Sequence, residues 1–402
     1  MKRLLGIFLA MTLLLGLVAC GNAEGGGTTA PAKKLGEATQ EEIAHLESLY
    51  EGRTPFYGEL HDHSDSGGRS DGNVDLLTWK MMMGMLEVDF AVIVDHKQAR
   101  HMYLPEWDET MFVGGTEAQN VVGDYIHLES PNFHCNYIFA DGETLVKFLE
   151  ETPEFKFENP DGDPLTAFFP YYPTLAKARI TEMAERVREL GGMFVHVHPA
   201  HKGYLDSGDP TDYWFADWTG LEVLNTYRSN RDGENTQNNY KLWRELLYSG
   251  KRIWATTGND EHRMPSDKAL STVYATERQA ASYLERMAVG DFTAGPVGVR
   301  MCVGDTLTGS EGEFDGKRLI IAVGDFHKSV LDPKHTYRMD LYAREDVIFS
   351  APVSCTEMTY FGFDAEDYPY YRVVIIDETS DSIIAYGNPI WQVGTGGEES
   401  EG

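Results

Sequence analysis

Short apolar runs alternate with amphipathic segments between residues 56 and 290. The runs are rich in β-branched and aromatic residues, which favours strands, and the segments between them repeat apolar residues at helical spacing. The predicted strands are Phe56–His61, Asp89–Asp95, Met111–Glu117, Phe133–Phe139, Met193–His198, Gly220–Asn225 and Ile253–Asn259. The predicted helical segments are 73–87, 174–190, 235–249 and 277–289. Thr39 and Glu42 have capping-box spacing and predict a further helix before the first strand. This alternation is typical of an α/β layered or barrel fold.

The pattern changes after the segment GDFTAGPVG. Residues 296–394 contain alternating runs such as KRLIIAVGDF and YRVVIID, separated by Gly, Asp and Pro, and no long amphipathic segment. This pattern predicts a small all-β, sandwich-like module. We therefore expect an α/β domain at 37–290, a β module at 291–395 and a disordered acidic tail at 396–402.

The first 36 residues predict export. Two basic residues precede an apolar run from Leu4 to Val18, which is typical of a secretory signal. The tetrapeptide Leu-Val-Ala-Cys resembles the lipobox of bacterial lipoproteins, which implies cleavage before Cys20 and lipid attachment to its thiol. An ordinary cleaved signal or an uncleaved anchor is the alternative. We expect a signal peptide at 1–19, a lipidated cysteine and tether at 20–36, and an extracytoplasmic protein held to a bacterial membrane by lipid alone.

Composition limits the partners. A formal charge of −30 argues against nucleic acid as a partner, because an acidic surface repels its phosphates. A phosphorylated small molecule is not excluded, since bound divalent cations reverse the sign of the charge locally. The remaining cysteines, Cys135, Cys302 and Cys355, are widely spaced and indicate neither a disulfide framework nor a CxxC zinc site. No oligomeric state is predicted.

Candidate chemistry begins at His61 and His63, at the end of the first predicted strand. Residues two apart on a strand face the same side, so both imidazoles point to one place, where they can bind a metal ion. The alternative is a polar strand end whose histidines only form hydrogen bonds. Four further predicted strands also finish in residues of metal-ligand type, and His134 lies near a strand start. These strand-end residues are Asp95, His96, Glu117, His196, His198, Asp260 and His262. In α/β barrels functional residues gather at the carboxyl ends of the strands.

In this order the motifs resemble the PHP superfamily, the polymerase and histidinol phosphatase type of metal-dependent phosphoesterase. The shared pattern is HxH, a downstream acid, Asp-His, Gly-x-Glu, His-Pro and Gly-x-Asp-x-His, over residues 57–262. The resemblance implies a distorted (β/α)7 TIM-like barrel and two or three divalent ions (manganese, iron or zinc). Glu117 would bridge the ions and His134 would serve the third. The implied ligands are His61, His63, Asp71, His96, Glu117, His134, His198, Asp260 and His262.

The chain departs from the pattern of the superfamily in three places. Lys97 replaces an acid beside the site, and Asn259 and Glu261 stand where small residues are common. The segment after His63 is also longer than usual, so Asp65 competes with Asp71 as the downstream acid. The number of metal ions and the form of the substrate pocket are therefore left open.

The implied reaction is hydrolysis of a small phosphomonoester or phosphodiester through a metal-activated water, with Asp260, His262 and Glu117 as catalytic residues. Asp260 is the candidate to accept the proton of that water. Basic residues would hold the substrate, because a guanidinium binds phosphate with two parallel hydrogen bonds. The candidates are Arg228, Arg231, Lys97 and Tyr227, for which solvated loop positions are the alternative.

Two other functions compete with the phosphoesterase. The β module resembles the C-terminal region of secreted PHP proteins grouped with the CehA/McbA metallohydrolases, whose named members act on carbamate esters. A carboxylic or carbamate ester hydrolase on the same metal centre is therefore the first alternative. A non-catalytic metal- or glycan-binding lipoprotein is the second.

Overall fold

The computed structural model describes residues 36–125, 132–169, 173–202, 208–226 and 230–395. These residues belong to one compact unit. The predicted signal peptide, the lipidated Cys20, nearly all of the tether and the acidic tail lie outside them and stay predictions. In the part of the chain that is described, no helix is long and apolar enough to cross a membrane.

Six α-helices lie within the described ranges. They are α1 (Gln40–Leu49), α2 (Leu76–Leu86), α3 (Gly142–Glu151), α4 (Lys177–Glu189), α5 (Glu234–Tyr248) and α6 (Ala280–Met287). The predicted capping box of α1 is confirmed, because Thr39 Oγ1 accepts from the backbone N–H of Glu42 at 3.3 Å and the Glu42 carboxylate accepts from the N–H of Thr39 at 2.8 Å. Helix α3 is missing from the sequence prediction. Its N-cap, Asp141, accepts from the N–H of Thr144 at 2.8 Å.

All seven predicted strands are present, with shifted ends. The strands of the first part are β1 (Thr54–Asp62), β2 (Phe90–Ile93), β3 (Phe112–Val122), β4 (Asn132–Phe139), β5 (Thr174–Leu175), β6 (Met193–Val197), β7 (Thr219–Asn225), β8 (Ile253–Gly258), β9 (Ser271–Ala275) and β10 (Phe292–Ala294). The β module contains β11 (Val297–Val303), β12 (Thr306–Leu307), β13 (Glu311–Gly312), β14 (Arg318–Phe326), β15 (Tyr337–Ala343), β16 (Asp346–Val353), β17 (Thr359–Asp364), β18 (Tyr370–Asp377) and β19 (Ser382–Gln392).

The fold is mixed α/β with one large sheet, in which the predicted strands follow the order β1-β2-β3-β4-β6-β7-β8. Neighbours in this order are parallel, except that β4 is antiparallel to both β3 and β6. The closed (β/α)7 barrel of the sequence prediction is not shown. Residues 54–58 of β1 pair with β9, which occupies the edge that β8 would need. Only an isolated bridge between Asp62 and Glu261 joins the end of β1 to the segment after β8.

The same sheet continues into the β module. Strand β9 pairs with β10, and β10 pairs with β19, so hydrogen bonds run without interruption from β1 to the module. A second sheet of four strands, β12-β11-β14-β17, completes the module. One apolar core lies between the large sheet and its helices, and a second core consists of residues between Val297 and Ile390. The sheet therefore joins two parts that have separate cores.

Candidate metal centre

The structure brings all nine implied ligands together at one end of the sheet. They form three overlapping groups, and in each group the ligand atoms lie within 4.8 Å of one another. The groups are His61, His63, Glu117 and Asp260; His63, Asp71, His96 and His262; and Glu117, His134 and His198. His63 and Glu117 each belong to two groups. The nine side chains therefore make one continuous cluster of six imidazoles and three carboxylates.

Glu117 is the hub of this cluster. Its Oε2 atom lies 3.1 Å from His61 Nε2, 3.2 Å from His63 Nε2 and 3.4 Å from His96 Nε2. Its Oε1 atom lies 3.3 Å from His198 Nε2 and also contacts His134 Nδ1. Two ligands held about 2.1 Å from one metal ion lie about 3.0–3.4 Å apart, so these spacings suit shared coordination. The position fits the bridging role that the resemblance implies.

Strand direction explains how distant residues meet here. His61 lies near the end of β1, and Glu117 lies midway along β3, beyond Gly114, the last residue of β3 that pairs with the parallel strand β2. His134 belongs to the first half of β4, whose reversed direction places its start at this end of the sheet, with His134 paired to Val197 of β6. The sequence prediction located His134 near a strand start, and the antiparallel pairing shows why that position joins the cluster.

Two ligands have unusual backbone conformations. His198 directly follows β6 with a φ of 32°, and Asp260 follows β8 with a φ of 49°. Positive φ is costly for residues other than glycine and persists where the surrounding structure holds it. Asp260 is held in part by its backbone N–H, which donates to the carbonyl of His61 at 2.8 Å. The chain thus turns sharply at both ligands, as is common at functional sites.

The buried carboxylates of the cluster favour positively charged groups beside them. Burial opposes ionisation of Glu117, but His96, His61 and His134 outweigh it and hold the pKa of Glu117 well below its usual value. Burial likewise opposes ionisation of Asp260, and His61 and His63 hold its pKa low. Burial lowers the pKa of His63, yet the adjacent carboxylates of Asp260 and Glu117 raise it to about 10. The carboxylates thus favour positive charge on the neighbouring imidazoles, in the place that a bound cation would take.

The residues fit a metal ion by a second criterion. Both ring nitrogens of His63 are buried and make no hydrogen bond within the described residues. His63 Nε2 nevertheless lies 3.2 Å from Glu117 Oε2 and 3.3 Å from Asp260 Oδ1. A buried imidazole facing two carboxylates without hydrogen-bond geometry is costly unless a cation lies between them. Imidazole and carboxylate ligands suit manganese, iron and zinc alike.

Glu222, which the sequence prediction missed, orients one ligand. This fully buried residue of β7 accepts from His61 Nδ1–H at 2.8 Å, which directs His61 Nε2 toward the cluster. The amide of Asn225 also donates to Glu222. Gly258 makes room for this carboxylate, because a Cβ atom there would lie 2.3 Å from Glu222 Oε2. The sequence feature that could have revealed Glu222 is its position inside the apolar run GLEVLN.

Asn259 holds the segment that carries Asp260. Its side-chain amide donates to Glu59 Oε2 at 2.7 Å, and its Oδ1 atom accepts from Thr226 Oγ1 at 2.5 Å and from the N–H of Ala269 at 3.2 Å. An asparagine replaces the usual small residue because it joins three segments beneath the centre. Glu59 is fully buried, and burial raises its pKa to about 8.

Asp95 fixes the turn after β1. It is fully buried and accepts from both the backbone N–H and the Oγ–H of Ser64, each at 2.6 Å, and from the hydroxyl of Ser66. These bonds determine the path of the chain directly after His63. Asp95 therefore positions ligand-bearing backbone and does not belong to the ligand groups found among the described residues.

The geometry separates Asp71 from its competitor. Asp71 Oδ2 lies 3.3 Å from His262 Nε2 and 3.6 Å from His96 Nε2. Asp65 instead accepts from the N–H of Gly67 at 2.8 Å within its own turn. The structure thus brings Asp71, and not Asp65, to the cluster. The histidines also hold the pKa of Asp71 below its usual value, although burial opposes them.

The predicted substrate-binding residues do not stay together. Lys97 lines a cleft of about 600 Å³ that His96 also lines. Arg231 lines a different cleft, where its guanidinium donates to the carbonyls of Asp267 and Lys268. The loop after β7 therefore takes Arg231 toward the β module, away from the cleft at His96. The predicted positions Tyr227 and Arg228 lie outside the described residues.

Comparison with known proteins adds little. No protein-family model and no curated protein matches the chain. An amidohydrolase from Chromobacterium violaceum, solved with sulfate and no metal, is 13% identical with a TM-score of 0.32, over 52% of this chain and 89% of that one. Endonuclease Q, solved with a 27-mer duplex carrying an abasic lesion, is 13% identical with a TM-score of 0.37, over 60% of this chain and 58% of that one. Neither likeness is strong enough to establish a shared fold, so the centre rests on its own geometry.

Proposed function

We propose that this protein is a metal-dependent phosphoesterase of the PHP type, which hydrolyses a small phosphomonoester or phosphodiester. The observation that carries the proposal is the continuous nine-residue cluster, in which Glu117 faces five histidines. The charge of the cluster suits more than one divalent ion, because its nine side chains include three carboxylates and no arginine or lysine. Two or three ions of manganese, iron or zinc are the proposed cofactors.

Bound divalent ions would lower the pKa of a coordinated water and neutralise charge on the ester oxygens. The protein supplies the rest. Asp260 belongs to the first ligand group and is only slightly exposed, so its carboxylate is placed to accept a proton from the attacking water. His262 Nδ1 lies 3.0 Å from the carbonyl of Asp260, and its Nε2 faces Asp71, which fixes the imidazole at the more open side of the cluster. Glu222 holds His61 in the orientation that the centre needs.

The cationic cleft beside His96 favours an anionic substrate over the competing substrates. Lys97, Arg69 and Arg100 line it, and a simple carboxylic or carbamate ester carries no anionic group for them to bind. The narrower resemblance to the CehA/McbA metallohydrolases therefore stays a prediction. A binding protein without activity is disfavoured, because passive binding does not require Asp260 to lie within 4.0 Å of four histidines.

The cellular setting is proposed from the sequence. A lipid on Cys20 would hold the protein to the outer side of a bacterial membrane, with a small-molecule ester and not nucleic acid as its substrate. Replacing Cys20 by Ala should leave the protein unprocessed or release it into the medium. A processed Cys20→Ala protein that still partitions with the membrane would contradict lipid anchoring.

The decisive experiment combines metal analysis with a substrate panel. Protein beginning near Lys34 is purified, supplemented with manganese, iron or zinc, and analysed for its metal content. It is then assayed on nitrophenyl phosphate, a nitrophenyl phosphodiester and a nitrophenyl carboxyl ester. We expect two or three ions per chain and hydrolysis of phosphate esters that chelation abolishes. Fewer than one tightly held ion, or hydrolysis of the carboxyl ester alone, would refute the proposal.

A further inference from the structure

A cleft of about 600 Å³ opens beside the metal centre at His96. One wall consists of residues from the turns after β1 and β2, and the other is the segment 165–169. Its lining includes three cationic residues, Arg69, Lys97 and Arg100, and no aspartate or glutamate from the described residues. The cleft is therefore cationic in a protein whose formal charge is −30.

The two arginines of this cleft are not neutralised by the protein. Within the described residues, neither Arg69 nor Arg100 forms an ion pair, although most of the other described arginines do. Arg100 donates from Nε to the carbonyl of Ser66 at 2.8 Å and from Nη1 to the carbonyl of Leu165. It thereby joins the two walls. Arg69 is exposed, and its backbone carbonyl accepts from the side-chain amide of Gln98 at 3.0 Å.

The segment 165–169 gives the cleft an apolar side. Phe169 is fully buried and donates its N–H to the carbonyl of Lys97 at 3.0 Å, which fixes this wall against the β2 turn. Phe168 is 42% exposed, and Leu165 and Ala167 complete the apolar lining. A carbon skeleton can lie along this wall while charged groups meet the cations opposite.

The reacting phosphate does not account for these cations. That group must lie at the nine ligands, where divalent ions would neutralise it. Three further cations line the adjoining cleft, which exceeds what a neutral leaving group needs. They match a second anion, because arginine binds phosphate and carboxylate through paired hydrogen bonds.

We propose that the substrate carries a second anionic group, a phosphate or a carboxylate, on its leaving group, and that Arg69 and Lys97 bind this group. The proposal rests on the phosphoesterase function and deepens it. Arg100 is a positioning residue that holds the two walls together. The substrate is then a small organic phosphate with two anionic ends and a short apolar skeleton between them.

The test measures binding separately from hydrolysis. Soluble protein beginning near Lys34, in excess Mn²⁺, is titrated calorimetrically with three compounds that contain an unreactive carbon–phosphorus bond: propylphosphonate, 3-phosphonopropanoate and propane-1,3-bisphosphonate. The wild type, Arg69→Gln and Lys97→Gln are compared with Arg188→Gln. Arg188 is an exposed arginine of α4, and its replacement removes the same charge outside the cleft. Metal content is checked after each titration.

We expect the wild type to bind at least one compound with two anionic groups about tenfold or more tightly than propylphosphonate. This ratio should fall about tenfold in Arg69→Gln and Lys97→Gln and persist in Arg188→Gln. The compound with the larger ratio identifies the second anion as phosphate or carboxylate. Equal affinities in the wild type, or a ratio that neither cleft variant lowers, would overturn the proposal.

Parallel assays with propyl phosphate and a nitrophenyl carboxyl ester keep the two proposals apart. If propyl phosphate is hydrolysed but the affinity ratio is absent, the phosphoesterase function stands and the anion subsite is refuted. If the ratio is present and depends on Arg69 while no phosphate ester is hydrolysed, the subsite stands and the phosphoesterase function is refuted.

Discussion

The metal centre and the β module both bury charged side chains, but they treat the charge differently. In the module, Arg372 is fully buried, donates to Glu345 Oε2 at 2.9 Å and lies 3.8 Å from the ring of Tyr342. Arg244 of α5 binds the same carboxylate at 2.5 Å. At the centre, no lysine or arginine among the described residues forms an ion pair with Glu117 or its neighbouring acids.

This difference distinguishes charges that stabilise the fold from charges that serve the metal centre. A buried ion pair is complete when each charge has a partner within the chain, and breaking it mainly costs stability. A cluster of carboxylates with only imidazoles beside them holds no permanent positive charge, and a bound cation can supply it. Variants at the metal centre should therefore lose activity, and variants in the β module should lose stability.

The largest expected effect is at the centre. His61→Ala and Asp260→Ala should each reduce hydrolysis of the best phosphate ester on the order of a thousandfold or more, because each removes part of the catalytic unit. Circular dichroism should stay unchanged, since neither side chain supports the apolar core. Turnover and metal content are measured with full metal supplementation. Retention of about a tenth of wild-type turnover by either variant would remove that residue from the catalytic centre.

In the module we expect the opposite result. Arg372→Met should lower the free energy of unfolding by about 3 kcal/mol, because Glu345 loses its fully buried arginine partner. Metal content and turnover of the folded protein should equal those of the wild type. Denaturant unfolding measures the loss, and the double variant Arg372→Met with Glu345→Gln should recover part of it. Altered metal affinity in Arg372→Met would show that the regions are not independent.

Glu222 tests whether the centre extends beyond its nine ligands. Glu222→Gln should weaken metal affinity about 10- to 100-fold, because His61 loses its anionic acceptor. Competition with a fluorescent chelator measures the affinity, and Glu285→Gln on the exposed face of α6 is the matched control. A metal affinity equal to that of the control would show that Glu222 only packs and does not support the metal centre.

A smaller, pH-dependent effect on stability is expected from His196. Burial lowers its pKa to about 3, and its Nδ1–H donates to the carbonyl of Tyr213 at 3.0 Å. The unfolded chain binds a proton at this residue below about pH 6.5, whereas the folded chain does not, so stability falls as the pH falls through this window. Between pH 7 and pH 5 the contribution is about 2 kcal/mol.

The matched variant is His196→Asn, whose amide keeps a donor for Tyr213 but does not titrate. Unfolding of metal-free protein is followed at pH 7 and pH 5, which excludes effects of metal loss. The variant should lose less stability than the wild type over this interval. Identical losses would show that another group governs the acid response.

Much of this architecture follows from local pattern. All seven predicted strands are present. A buried strand between helices requires a short apolar run, and such a run is visible in the sequence. The nine implied ligands converge because HxH and the strand-end acids occupy one edge of the sheet. Asp71 and Asp65 were not separable in the sequence, since the choice depends on how the turn after His63 folds.

Other features depend on contacts that no local pattern encodes. The sheet does not close because β9, far along the chain, occupies the free edge of β1. Arg231 was expected to bind substrate, yet its loop turns toward the module and its guanidinium is used by two carbonyls. Lys97 was predicted to bind substrate, but the cleft in which Arg69, Arg100 and the segment 165–169 meet it forms only after folding.

The strand pairing from β1 through β9 and β10 to β19 determines how the protein can be divided. Cutting the chain at residue 290, the predicted domain boundary, would remove β10 and leave the backbone groups of β9 exposed along an open sheet edge. Such an edge readily pairs with other chains and promotes aggregation. A shortened protein ending there would lose solubility although every metal ligand is retained, so preparations of the catalytic part need the chain as far as Gln392.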